Sequence, residues 1–129
     1  MSPVSNSKIV LITGCSSGFG LHIAAHLAVQ GYRVVATMRD VTKQSALINE
    51  VRKRGAILDV LPFDVTDKLS VNNAIKEIAA KYGYLDVLVN NAGYGLGGFF
   101  EDLTDEEIRQ IMDTNFFGAQ NVTREVIPL

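Results

Sequence analysis

Eight consecutive residues, Thr13-Gly14-Cys15-Ser16-Ser17-Gly18-Phe19-Gly20, place three glycines and two serines between a short apolar run and a stretch of helical period. That composition suits a phosphate-binding turn. Gly14 permits a tight turn, Gly18 lets the backbone come close to a pyrophosphate, and Gly20 allows the following helix to pack closely on the sheet. Ser16 and Ser17 add hydroxyl donors, Phe19 stands among them, and the helix start offers free N–H groups and a positive dipole end. A glycine cluster alone can be a plain turn, but a strand before it and a helix after it point to a dinucleotide site. The segment lacks the GK[ST] ending of a phosphate-binding P-loop.

Other chemistry-bearing residues fall at the ends of later apolar runs. Where an acidic side chain would accept hydrogen bonds from the ribose diol of NAD, the second run ends in Met38 and Arg39. A guanidinium there would form a charge-assisted contact with a 2′-phosphate, so NADP(H) is expected over NAD(H). The alternatives are a solvated Arg39, or Asp40 taking the ribose role. Asp64 follows the third run and reads either as a strand-end cap or as a ligand residue. Asn90 and Asn91 follow the fourth and can satisfy backbone groups there. Asn115 shares a helical face with Ile108, Ile111, Met112, Ala119 and Val122, so its amide is expected to be buried and bonded.

Weaker candidates carry little chemistry. His22 and His26 lie i, i+4 on a helix without a third ligand, so no metal site is expected. Cys15, near a helix start, is either a thiol of depressed pKa or a filler in the loop, and the filler is favoured. Asn121-Val122-Thr123 matches a glycosylation sequon, but within a helical pattern, and is set aside.

Elements must position these residues. Strands are expected at Ile9–Thr13, Arg33–Thr37, Ile57–Phe63 and Leu85–Asn90, mostly apolar on both faces as in a parallel sheet covered by helices. Leu21, Ala24, Leu27 and Ala28 mark a first helix ending near Gly31. Thr42 opens a second, Val71 to Tyr82 form a third, and Thr104-Asp105-Glu106-Glu107 is a capping box for a fourth, which Pro128 ends or kinks. Right-handed crossovers predict the strand order third, second, first, fourth. The fold expected is α/β, a Rossmann-type doubly wound parallel sheet truncated after about four strands, forming one domain over residues 1–129. The fourth strand would be an apolar edge, as in an unfinished sheet.

The spacing TGxxxGxG, with Asn90-Asn91-Ala92-Gly93 after the fourth strand and Asp64-Val65 after the third, resembles the short-chain dehydrogenase/reductase family from Lys8 to Leu129. The resemblance implies that Asp64 and Val65 hold the adenine, that Asn90 steadies the sheet, and that Asn91, Ala92 and Gly93 line the cofactor. It also implies that Asn115, in Asp113-Thr114-Asn115, holds a water in the proton relay to the catalytic lysine. The family's tyrosine stands four residues before a lysine, with a serine upstream. Four positions after Tyr32, Tyr82, Tyr84 and Tyr94 stand Ala36, Asp86, Leu88 and Gly98, so no YxxxK occurs. The chain is therefore expected to be the inactive front portion of an NADP(H)-dependent oxidoreductase of secondary alcohols and ketones. The Cys-Ser-Ser loop, the Thr-Met-Arg strand end and Gly93–Gly98 look like the steroid and retinol dehydrogenase branch, though bacterial members share them. A small-molecule substrate and a homo-oligomeric full-length protein are implied.

Composition restricts the other function classes. At 129 residues with 47% hydrophobic side chains the chain can bury a core. A formal net charge of −2 with interspersed signs leaves no basic stripe for nucleic acid. A single cysteine suits a reducing compartment, and residues 1–8 lack the apolar run of a secretory signal, so a cytoplasmic, non-membrane protein is expected. A non-catalytic NADP-binding sensor is the second reading. A flavodoxin-like receiver domain fits the length but not Thr13-Gly14-Cys15, where an acidic pair would be needed.

Overall fold

The computed structural model describes residues 7–129; Met1 to Asn6, on which most of the leader reading rests, lie outside the described residues. Four strands, β1 (Ile9–Ile12), β2 (Arg33–Met38), β3 (Asp59–Pro62) and β4 (Val87–Val89), form one parallel sheet in the order β3-β2-β1-β4. This is the order the crossovers required. Val10 pairs with Val34 on one side and Val87 on the other, so the first strand is central. Its four residues are buried, as a strand sandwiched between helical layers must be.

Each crossover helix fits its sequence. In α1 (Gly18–Val29), Leu21, Ala24, Ala25 and Ala28 face the core with Val10, Ile12 and Ala36, joined by Leu47 and Val51 of α2 (Ser45–Lys53). On the other face, Val71, Ala74, Ile75 and Ile78 of α3 (Lys68–Tyr82) pack with Ile9, Leu11 and Val35. Asp67 caps α3, accepting from the N–H groups of Leu69 and Ser70 at 3.0 and 3.3 Å. Among the described residues no helix is long and apolar enough to cross a membrane.

Two expectations about helices need correction. Thr42 does not open α2: it sits in a short 3-10 turn, Val41–Lys43, and α2 begins at Ser45. Asp40 makes the difference, because its Oδ1 accepts from the Thr42 N–H at 3.0 Å and hydroxyl at 2.6 Å, a local bond that competes with a continuing helix. The last helix also departs from a single 3.6 period. The capping box at Thr104 starts α4 (Asp105–Met112), but a π-helical turn, Asp113–Gly118, separates it from α5 (Ala119–Val126). The wider turn rotates the face presented to the core. Val122 is fully buried, whereas Met112 is 47% exposed and Asn115 is exposed, so the single apolar face read from the sequence does not exist.

Candidate functional site

The site lies at the carboxyl ends of the strands and begins with hydrogen bonds that tie those ends together. Thr13, 1% exposed, donates its N–H to the Val89 carbonyl at 3.1 Å, and its Oγ1 accepts from the N–H groups of Asn91 at 3.0 Å and Ala92 at 2.8 Å. Asn91 answers with Nδ2, which donates to the Thr13 and Gly14 carbonyls, both at 3.0 Å. The Cys15 N–H donates to Thr37 on β2 at 2.9 Å, and Asn90 Nδ2 to Thr123 Oγ1 at 3.0 Å. The glycine loop is thus fixed to β2 and to the residues after β4. Thr13→Val, which keeps the shape but removes the shared acceptor, is expected to cost about 2 kcal/mol in urea unfolding, since two N–H groups lose their partner.

The glycines make this closeness possible. Gly14 has φ +70°, and a Cβ there would meet the Ala92 Cα at 2.8 Å; one on Gly20 would lie 2.1 Å from the Gly14 carbonyl oxygen. Gly20 therefore sets the depth at which α1 seats behind the loop. Around Gly18, with φ +59°, there is open space. Ser17 is the extended residue capping α1, with no side-chain bond to the first turn and no acidic residue in that turn, so the N–H groups there face outward under the positive dipole end.

Between loop, strand ends and the chain after β4 runs a cleft of about 400 Å³, within the range of small-molecule sites. Gly14, Ser16, Ser17, Gly18 and Phe19 line one side; Arg39, Asp64, Val65, Asn91, Ala92 and Gly93 also line it. Gly20 stands behind it. Phe19 is 83% exposed. Met38, Phe63, Tyr94 and Thr114 complete the lining. Phe63, Tyr94 and Thr114, like the Thr13 acceptor, escaped the reading of the sequence; a hydroxyl directly after a buried strand is the signal that would have marked Thr13.

Charge is distributed unevenly around the cleft. Arg39 is exposed and, among the described residues, forms no ion pair. The Thr42 hydroxyl and then its N–H hold the Asp40 carboxyl below the ordinary carboxylate range, and Oδ1 is taken up by that turn. Asp64 Oδ1 likewise accepts from the Thr66 N–H at 3.0 Å and hydroxyl at 2.7 Å, so the strand-end bonding is real, and Asp64 is also among the residues that line the cleft.

Asn115 is placed differently from expectation. Its amide forms a two-way clamp on the backbone of Tyr94: Oδ1 accepts the Tyr94 N–H at 3.0 Å and Nδ2 donates to the Tyr94 carbonyl at 2.8 Å. The amide expected to be buried is exposed, because the π-turn swings it off the core face and toward this loop.

Among the described residues, no group of three or more His, Cys, Asp or Glu could hold a metal. Cys15 is fully buried, its thiol donates to the Ile12 carbonyl at 3.3 Å, and burial pushes its pKa from 9.0 up to about 11. The thiol stays protonated in the fold while an unfolded chain ionises above about pH 9, so this residue's contribution to stability is present below that pH and is lost as pH rises toward 11. A thiol reagent at pH 8 is expected to leave Cys15 unlabelled until urea unfolds the chain; rapid labelling of the native protein would contradict this burial.

Comparison with known proteins agrees with this architecture. A family model described as short chain dehydrogenase matches residues 8–129. The chain is 45% identical over 121 residues to the 3-ketodihydrosphingosine reductase of Bacteroides thetaiotaomicron, covering 94% of this chain and 41% of that protein. It is 44% identical over 125 residues to retinol dehydrogenase 8 of Bos taurus, covering 94% and 39%. The likeness to the retinol branch is therefore real and shared with a bacterial enzyme. An actinorhodin polyketide ketoreductase solved with NADPH matches with a TM-score of 0.88 and 34% identity over 98% of this chain and 48% of that one, while another similar structure is an NAD+-bound xylitol dehydrogenase. The chain thus spans about two fifths of the curated relatives it matches. With its four-stranded Rossmann-type sheet and the glycine loop at the head of α1, the chain belongs to the short-chain dehydrogenase family of oxidoreductases.

Proposed function

We propose that the cleft holds NADP(H), and that these residues are the cofactor-binding portion of an oxidoreductase of secondary alcohols and ketones working in the cytoplasm. The observation that carries the cofactor choice is the pair Arg39 and Asp40 at the end of β2. Arg39 stands at the cleft wall with no ion pair among the described residues, whereas Asp40 spends its Oδ1 on Thr42. A 2′-phosphate finds a guanidinium there, whereas Asp40, turned toward Thr42, does not line the cleft.

The lining of the cleft supports this reading. The outward N–H groups at the start of α1, with Ser16 and Ser17, would take the pyrophosphate; Asp64 and Val65 would take the adenine; Asn91, Ala92 and Gly93 would line the path toward the nicotinamide. The bound nicotinamide would supply or accept a hydride. The chain's own part in that chemistry is to bind, orient and exclude water. Asn115, clamped to Tyr94, holds the wall beside Gly93 in place rather than offering a free amide. The 129 residues contain no tyrosine four positions before a lysine, so this chain by itself is expected to bind without turnover.

The same observation favours a second reading, a sensor that binds NADP(H) and does no chemistry. Sequencing the reading frame beyond codon 129 discriminates: a serine strand and a YxxxK helix would remove the sensor reading, and a natural stop there would remove the enzyme. For the cofactor, thermal melting with NADPH and with NADH is the test. Ligand at one hundred times its Kd stabilises by about 2.7 kcal/mol, a shift of several degrees for a chain this size. A larger shift with NADH than with NADPH would overturn the role of Arg39.

A further inference from the structure

Gly118 closes the π-turn and is buried against the chain segment that forms one wall of the cleft. A Cβ built on it would lie 2.5 Å from Val65 Cγ2 and 3.1 Å from Val65 Cβ, with the Asp113 carbonyl oxygen at 3.3 Å. Val65 has little freedom to retreat. It is 6% exposed among Phe63, Val71 and Ile75, its branched side chain is stiff at χ1, and its carbonyl accepts from Asn121 Nδ2 of α5 at 3.0 Å. Val65 itself lines the cleft. At Gly118 it is therefore Val65 that stands between the π-turn and the cleft, which Thr114 of the same turn lines directly.

The same turn reaches the chain after β4. Asn115, three residues before Gly118, grips Tyr94 in both directions, and its Oδ1 lies 3.0 Å from where a Cβ on Gly93 would stand. One extra residue in the helix thus allows a side-chain clamp on the Gly93–Tyr94 segment and a close backbone approach to the Asp64–Val65 segment.

We propose that Gly118 is a positioning residue for cofactor binding, its missing side chain being the space that lets Val65 stand where the adenine end of the cleft requires it. This rests on the NADP(H) reading above. Gly118→Ala adds a methyl group that Val65 must accommodate by moving toward the cleft, because the core behind it is filled. The adenine end should feel this directly.

The test is calorimetric titration with adenosine 2′,5′-bisphosphate and with NADPH, for the unaltered chain, Gly118→Ala, Val65→Ala and the double variant. Gly118→Ala is expected to bind both probes roughly tenfold more weakly. In the double variant the colliding methyl groups of Val65 are gone, and affinity is expected to return to that of Val65→Ala alone. A merely structural role for Gly118 predicts no such rescue. Equal affinity of Gly118→Ala and the unaltered chain, or a double variant as weak as Gly118→Ala, would overturn the proposal. Should Gly118→Ala fail to fold, the double variant decides, since relief of the contact must restore folding and binding together. If the unaltered chain binds neither probe, the NADP(H) reading itself falls, a result distinct from any difference among the variants.

Discussion

Replacing Gly20 with alanine is expected to abolish NADPH binding and to destabilise the chain by about 2–3 kcal/mol. The added Cβ would stand 2.1 Å from the Gly14 carbonyl oxygen, 2.8 Å from its carbon and 2.4 Å from Asn91 Nδ2. Those are backbone and bonded atoms, not the free end of a flexible side chain. The loop cannot retreat, because the Thr13 N–H is held by Val89 and the Cys15 N–H by Thr37. Alanine's better helix propensity returns at most about 1 kcal/mol. Either α1 moves off the sheet or Gly14 and Asn91 lose their bond, and both outcomes deform the loop that faces the phosphates. Urea unfolding should show a lower midpoint with an unchanged slope, and NADPH fluorescence should show no saturable binding. Gly18→Ala is the contrast: its Cβ meets nothing within 4 Å, so only the cost of φ +59° remains, about 1–2 kcal/mol. Equal behaviour of the two variants would contradict the packing argument.

Arg39→Ala is expected to weaken NADPH binding by about tenfold to a hundredfold and to leave NADH within about twofold. One charge-assisted hydrogen bond contributes roughly 1.5–3 kcal/mol, which is that range in affinity. Because Arg39 is exposed, salt screens it, and the lower end is expected near physiological ionic strength. The NADPH affinity of the unaltered chain should fall as salt is added, and that of the variant should fall less. Fluorescence titration at two salt concentrations measures both. An Arg39→Ala chain that discriminates between the two dinucleotides as well as before would place the 2′-phosphate elsewhere.

The sheet was legible because its causes are local and repeated. Uniformly apolar, β-branched runs such as Ile9 to Ile12 can be stable only between two helical layers, and chirality then leaves the order β3-β2-β1-β4. The glycine loop was legible because glycine types and spacing report backbone approach, which Gly14 and Gly20 show directly. The π-turn was not. One extra residue inside a helix shifts every later position by a fraction of a turn, and apolar residues at 108, 111 and 122 read as one face whether or not the shift is present. From that single ambiguity came the misplacement of Met112 and Asn115. The helix start at Thr42 was misjudged for a different reason: whether Thr42 opens a helix or closes a turn depends on its bond to Asp40 two residues away, a competition that composition does not reveal. Tyr94 and Thr114 line the cleft where the Asn115 clamp joins their two segments, a long-range contact that sequence spacing does not report.

The central claim is that the cleft recognises a 2′-phosphorylated adenine nucleotide through Arg39. Calorimetric titration of the unaltered chain with adenosine 2′,5′-bisphosphate and with adenosine 5′-monophosphate tests it most directly, since the pair differs at the 2′-phosphate and needs no catalytic residue. Binding of the bisphosphate at least about tenfold tighter, with the difference shrinking as salt is added, is the result this account predicts. Equal binding of the two, or preference for the monophosphate, would contradict it.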